Sequence, residues 1–314
     1  MSSSFSSSFN GEQYKISQRK SWEIVAEGWQ KWWKTFEQGA QIVNEKLVEL
    51  AEIKQGDNVL DIATGIGEPA ITAARKVGIN GHVMATDISP QMLKIAKERA
   101  VSFGLEDIVE FKEIDAEKID IDLQSQLQPP SFNAILCRWG LMFLPNLNLT
   151  LTNMHKLLSS GGKVAAAVWS EPSKVPKLYA AIDFVAREMG ISSTITNNHS
   201  NYAKTLSPFN LANINIVKEA LVEAGFKDIH IEHLNVIFEF ESAKDYTNFA
   251  KEIIAPLQDM LANETEKRRE EIWEALAEEI RKKYVLINNN NNNKEYNKSV
   301  RMNNETICIV GRKP

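Results

Sequence analysis

The chain has 314 residues, of which 43% are hydrophobic and 25% charged, and a net charge of −5. That is enough to bury one large core with accessory helices, and nothing in it is built to follow a phosphate backbone, so nucleic acid is not expected as a partner. No apolar run reaches the length of a membrane span, and the Ser-rich opening lacks the charged and apolar regions of a secretory signal. Cys137 and Cys308, the two cysteines, each sit in an apolar stretch and read as separate buried thiols in a reducing, cytoplasmic setting.

Residues 1–16 read as a disordered tail. Residues 17–54 read as helical, with Trp22, Val25, Trp29, Trp32, Trp33 and Phe36 at three- and four-residue spacing. Such a stripe serves either plain packing or a lid whose indoles, Trp29 and Trp33 among them, wall an apolar substrate pocket.

A strand, Asn58 to Ile62, then runs into a turn, Ala63-Thr64-Gly65-Ile66-Gly67-Glu68-Pro69-Ala70. The spacing Gly65-x-Gly67-x-x-Ala70 fits a dinucleotide fingerprint, in which glycines admit a pyrophosphate to the start of a helix. Three neighbours oppose a diphosphate: Asp61 and Glu68 add negative charge, and Pro69 removes an N–H donor. The same residues suit S-adenosylmethionine (SAM). Asp61 or nearby carbonyls meet its ammonium, and Gly65 and Gly67 let the backbone approach the sulfonium and ribose. A second strand, His82 to Asp87, ends in a carboxylate about 20 residues past the glycines, the spacing of a ribose anchor. Ser89, ahead of Pro90, is left to cap the next helix. A third strand, Val109 to Ile114, leads to Asp115 and Ala116, placed to meet an adenine amino group and a ring nitrogen.

With these stations in place the chain resembles the class I SAM-dependent methyltransferases, in the group that includes the ubiquinone/menaquinone C-methyltransferases and small-molecule O-methyltransferases of the aklanonic acid type. The similar segments are Val59 to Ala70, Ala85 to Ala96, Phe132 to Pro145 and Leu157 to Trp169, within about residues 55–170. The resemblance implies that Asp61, Ala63, Gly65, Asp87, Ile88, Met92, Asp115, Ala116 and Arg138 line the cofactor. It also implies a seven-stranded, mostly parallel, doubly wound Rossmann-like α/β sheet over residues 55–314, closed by an antiparallel hairpin.

Further along, Phe132 to Trp139 and Lys163 to Trp169 read as the fourth and fifth strands, and Gly161-Gly162 as the stop of the helix between them. Arg138, Trp139, Met142, Phe143 and Trp169 fall near the expected substrate pocket. An insertion at about 171–207 carries His199 and Tyr202, the only candidates for a catalytic base, in a polar stretch that also reads as a surface loop. A helix near Asn213 to Ala224 feeds a strand, Ile229 to Phe240, on which His230 and His233 take opposite faces. A second insertion, about 242–304, is helical, broken at Pro256, and ends in the polyasparagine run Asn288 to Asn293. The last strand is Thr306 to Val310. No His, Cys or Asp cluster has ligand spacing, so no metal is expected. The reaction expected is methyl transfer to oxygen or carbon of a small, fairly apolar metabolite. The alternatives are a nucleotide-dependent oxidoreductase using the same glycine loop and a catalytically silent SAM-binding scaffold.

Overall fold

Short strands that are apolar on both faces need cover on both sides, and a parallel sheet with crossover helices provides it. In the computed structural model, which describes residues 10–124, 132–191, 207–284 and 299–314, these strands are β1 (Asn58–Ile62), β2 (His82–Asp87), β3 (Val109–Glu113), β4 (Phe132–Arg138) and β5 (Leu158–Trp169). They run parallel, and two long strands, β6 (Lys227–Phe240) and β7 (Val300–Arg312), complete the sheet as an antiparallel hairpin. The order β3-β2-β1-β4-β5-β7-β6 reverses direction between β1 and β4. Val59, Leu60, Ile135 and Leu136 there are fully buried.

Helices α2 (Ala70–Val77), α3 (Pro90–Ser102), α4 (Ile119–Gln124) and α5 (Leu147–Leu157) make the crossovers. Ser89 caps α3 as expected, accepting from the Met92 N–H at 3.3 Å. Gly161-Gly162 does not stop α5. The helix ends at Leu157, the next residue, Leu158, is already extended and paired, and the glycines sit in a bulge: Phe132 faces Leu158 while Ala134 faces Lys163. His230 and His233 do not divide between core and solvent. Both are exposed, on the bulged half of β6, and each lies beside a glutamate, Glu232 and Glu305.

Accessory helices cover one end of the sheet. The first, α1, spans Gly11–Leu50, beginning six residues before the expected boundary because Asn10 caps it, its side chain accepting from the Gln13 N–H. Residues 1–9 of the expected tail lie outside the described residues. A side chain at Gly28 would collide with the Glu252 carbonyl, and one at Gly39 with the Ile237 carbonyl. These two positions let α1 lie directly on its neighbours. The insertions supply α6 (Pro176–Glu188), α8 (Ala243–Ile253), α9 (Ala255–Leu261) and α10 (Glu266–Tyr284), and α7 (Ile214–Glu223) precedes β6. Pro256 falls in the first turn of α9 and separates it from α8. The polyasparagine run lies outside the described residues. Among the described residues, no helix is long and apolar enough to cross a membrane.

Candidate active site

At the carboxyl ends of β1 and β4, where the strand order reverses, an open α/β sheet leaves a crevice. Both strands end in a non-glycine residue held at positive φ, Ala63 at 56° and Trp139 at 56°. This conformation costs about 1–3 kcal/mol each. Both residues line a cavity of about 560 Å³ that runs from the glycine turn to the helices above.

Of the residues expected around a cofactor, Ala63, Gly65, Asp87, Ile88, Met92, Asp115, Ala116 and Arg138 line this cavity. Gly65 has φ +56°, and a side chain there would meet nothing within 4 Å, so its backbone faces open space. Gly67 does not line the cavity. Its φ of +101° closes the turn through a bond from its N–H to the Thr64 carbonyl, and its missing side chain is the space in which Ala96 of α3 packs. Asp61 is likewise absent from the lining. It is fully buried, and its Oδ2 accepts from the Ala70 N–H at 3.0 Å at the start of α2. Beside it stands Thr64, whose hydroxyl acts on the carboxyl and which does line the cavity. Burial pushes the Asp61 carboxyl up to about 7.

Asp87 ends β2 with one carboxylate oxygen 2.8 Å from the Gly65 N–H and the other 2.9 Å from the Ser89 N–H. The two bonds fix the turn against β2, and burial holds this carboxyl above the usual range. Asp115 is engaged on both sides: Oδ1 accepts from the Glu117 N–H, and Oδ2 takes the Lys15 ammonium at 2.7 Å. Glu12, Asp115 and Glu117 therefore converge on an ammonium. Arg138 is buried and clamped by Glu37 of α1, at 2.7 and 2.9 Å, and by Asn44 Oδ1 at 2.7 Å. Burial alone would raise the Glu37 carboxyl, but the Arg138 guanidinium outweighs it and holds the group below the ordinary value. Arg99 pairs with Glu68 and donates to the Ile66 carbonyl. Lys15, Arg99 and Arg138 are thus already committed to carboxylates. A diphosphate there would have to compete with those carboxylates for each of these cations, whereas a positively charged ligand meets the carboxylates of Glu68, Asp87 and Asp115.

The other half of the cavity is aromatic. Trp29, Trp139, Met142, Phe143 and Trp169 line it, joined by Trp22 and Phe36. Trp139 and Trp169 stack with centroids 4.2 Å apart. Trp33 does not join them. One turn past Trp29 it has rotated off the lining face, and it lies against Phe103 and under the Arg99 guanidinium. Sequence reasoning missed Lys177, which is fully buried, lines the cavity and has rings on several sides. A lysine in the first turn of a helix reads as a surface residue, and only the fold brings Phe238 and Trp169 around it. Among the described residues, Trp29 Nε1 and Asn210 Nδ2, also lining, have no hydrogen-bond partner. His199 and Tyr202 lie outside the described residues.

Residues 53–225 match the family model described as a methyltransferase domain. Over 207 residues the chain is 27% identical to the ubiquinone/menaquinone biosynthesis C-methyltransferase UbiE of Pseudomonas putida, covering 65% of this chain and 74% of that protein. The UbiE of Pseudomonas entomophila matches to the same extent. Among solved structures, the YcgJ protein of Bacillus subtilis superposes with a TM-score of 0.50 at 14% identity, covering 86% of this chain and 97% of that one, a likeness of fold.

Proposed function

Since the chain belongs to the class I SAM-dependent methyltransferases, we propose that it moves the methyl group of SAM to oxygen or carbon of a small, fairly apolar metabolite of quinone, polyketide or lipid type. When bound, SAM supplies a sulfonium-activated methyl group. The protein's part is then to align the acceptor and exclude water. The observation that carries this reading is the division of a single cavity into a carboxylate- and carbonyl-rich half at the glycine turn and an aromatic half under α1. The resemblance to UbiE, named for C-methylation, favours carbon as acceptor.

In this reading Asp87 accepts from the ribose hydroxyls with the lone pairs its two backbone bonds leave free. Gly65 gives the donor backbone contact, and Ala116 and Met92 flank the adenine. The Thr64 hydroxyl and the Asp61 carboxyl beside it are the acceptors for the ammonium of SAM. Calorimetric titration of S-adenosylhomocysteine, the demethylated product, against NAD tests it, followed by transfer from methyl-labelled SAM to a panel of quinols and phenols. Binding of the adenosyl compound with no heat from NAD is expected. Preference for NAD overturns the reading in favour of a nucleotide-dependent oxidoreductase.

A further inference from the structure

Lys177 is in a place where an ammonium is unwelcome. It occupies the first turn of α6, the end at which a helix repels positive charge. It is 1% exposed, and its main chain is pinned on both sides, the N–H donating to Asn304 Oδ1 at 2.8 Å and the carbonyl accepting from the Tyr246 hydroxyl at 3.0 Å. Its Nζ lies 4.2 Å from the ring centroids of Phe36 and Phe238 and 5.0 Å from that of Trp169. Among the described residues it makes no ion pair. The charged groups that act on it are Arg138 from β4 and Glu37 from α1, and Glu37 is spent on Arg138. From β5, β6 and α8 it meets the rings of Trp169, Phe238 and Phe249, and from α9 Asp259 lines the same cavity.

We propose that Lys177 is the proton acceptor of the methyl transfer, and that the methyl acceptor is a phenol or enol whose O–H meets Nζ inside the aromatic half of the cavity. The inference rests on the methyltransferase reading and adds a base and a substrate class to it. Desolvation, reinforced by Arg138, holds the side chain well below the ordinary lysine range, which favours the uncharged amine with its free lone pair. The acceptor O–H gives its proton to that lone pair. The electron pair left behind forms the new bond to the methyl carbon, from oxygen or from the carbon conjugated to it, as the S–CH₃ bond breaks and its pair stays on sulfur. Transfer to carbon ends with loss of the C–H proton as the enol or phenol reforms. The ammonium stabilises the anion until transfer; after transfer to oxygen it gives its proton to solvent, and after transfer to carbon it returns that proton to the oxygen while the C–H proton leaves to solvent. A buried lysine without a carboxylate partner costs stability, and a function at the site accounts for it.

The test uses the full chain saturated with S-adenosylhomocysteine and 4-nitrophenol as probe, at a pH below the phenol's own pKa. Binding is followed by heat and ionisation by the visible absorption of the phenolate. The wild type is expected to bind the probe as phenolate, with Lys177→Met losing that absorption while retaining affinity for S-adenosylhomocysteine. Probe bound without phenolate absorption in the wild type, or equal absorption in the variant, overturns the role of Lys177. Absence of any probe binding overturns the phenol class. If S-adenosylhomocysteine itself fails to bind the wild type, it is the methyltransferase reading that fails. Should Lys177→Met fail to fold, Lys177→Arg, which keeps charge but holds its proton, is expected to bind preformed phenolate at higher pH and to generate none at lower pH.

Discussion

Glu37→Gln isolates the clamp that ties the long N-terminal helix to the sheet. In the wild type the Arg138 guanidinium takes two carboxylate contacts, at 2.7 and 2.9 Å, and the Asn44 oxygen at 2.7 Å, all buried. Breaking a buried ion pair from one side costs about 3–5 kcal/mol, because the other charge stays buried without a counter-charge. Glutamine keeps one acceptor oxygen, a hydrogen bond worth about 1 kcal/mol, so a net loss of about 2–4 kcal/mol is expected. Urea unfolding with an unchanged slope measures it. The double variant Glu37→Leu with Arg138→Met removes both charges and should recover most of the loss, because an apolar pair carries no desolvation cost. The pH dependence has a definite sign. The Glu37 carboxyl titrates below its ordinary value in the folded chain, so its contribution is complete above that ordinary value and disappears as pH falls through the lower, folded one. A loss under about 1 kcal/mol for Glu37→Gln, or a double variant no better than the single, would refute this account of the clamp.

Asp87→Asn is expected to weaken S-adenosylhomocysteine by about 1–3 kcal/mol through lost charge-assisted bonds; an unchanged calorimetric affinity contradicts the ribose assignment. Gly65→Ala forces a side chain into the left-handed region, costing about 1–2 kcal/mol of stability, and its methyl projects into the cavity. Affinity should therefore fall by more than the thermal stability, and equal affinity would mean that the cofactor does not pass this turn. Cys137 and Cys308 are buried, and burial pushes both thiols up to about 12. Neither should react with iodoacetamide in the folded chain over hours at neutral pH, with mass spectrometry as readout.

Strand order, the position of Asp87 at the end of β2 beside the glycine turn and most of the cavity lining were legible because each rests on local signals: apolar strands, a glycine turn, a carboxylate at a set distance. What misled were residues whose roles depend on partners far along the chain. Trp33 shares the helical stripe with Trp29, but the stripe is wider than the cavity and its far edge faces α3. Gly161-Gly162 looks like a helix stop because a strand bulge asks for the same residue. Lys177 carries no signal of its own, since its burial is created by β6 and α8, more than 50 residues later in the chain.

Among the fastenings of the first helix are Lys15 in its opening turns and Glu37 further on. Twenty-two residues separate these two, about six turns and about 33 Å, which brings them back to nearly the same side of the rod. The interval acts as a ruler. Inserting or deleting one residue between them would swing one fastening by about 100° relative to the other, so this stretch tolerates changes of composition far more readily than changes of length.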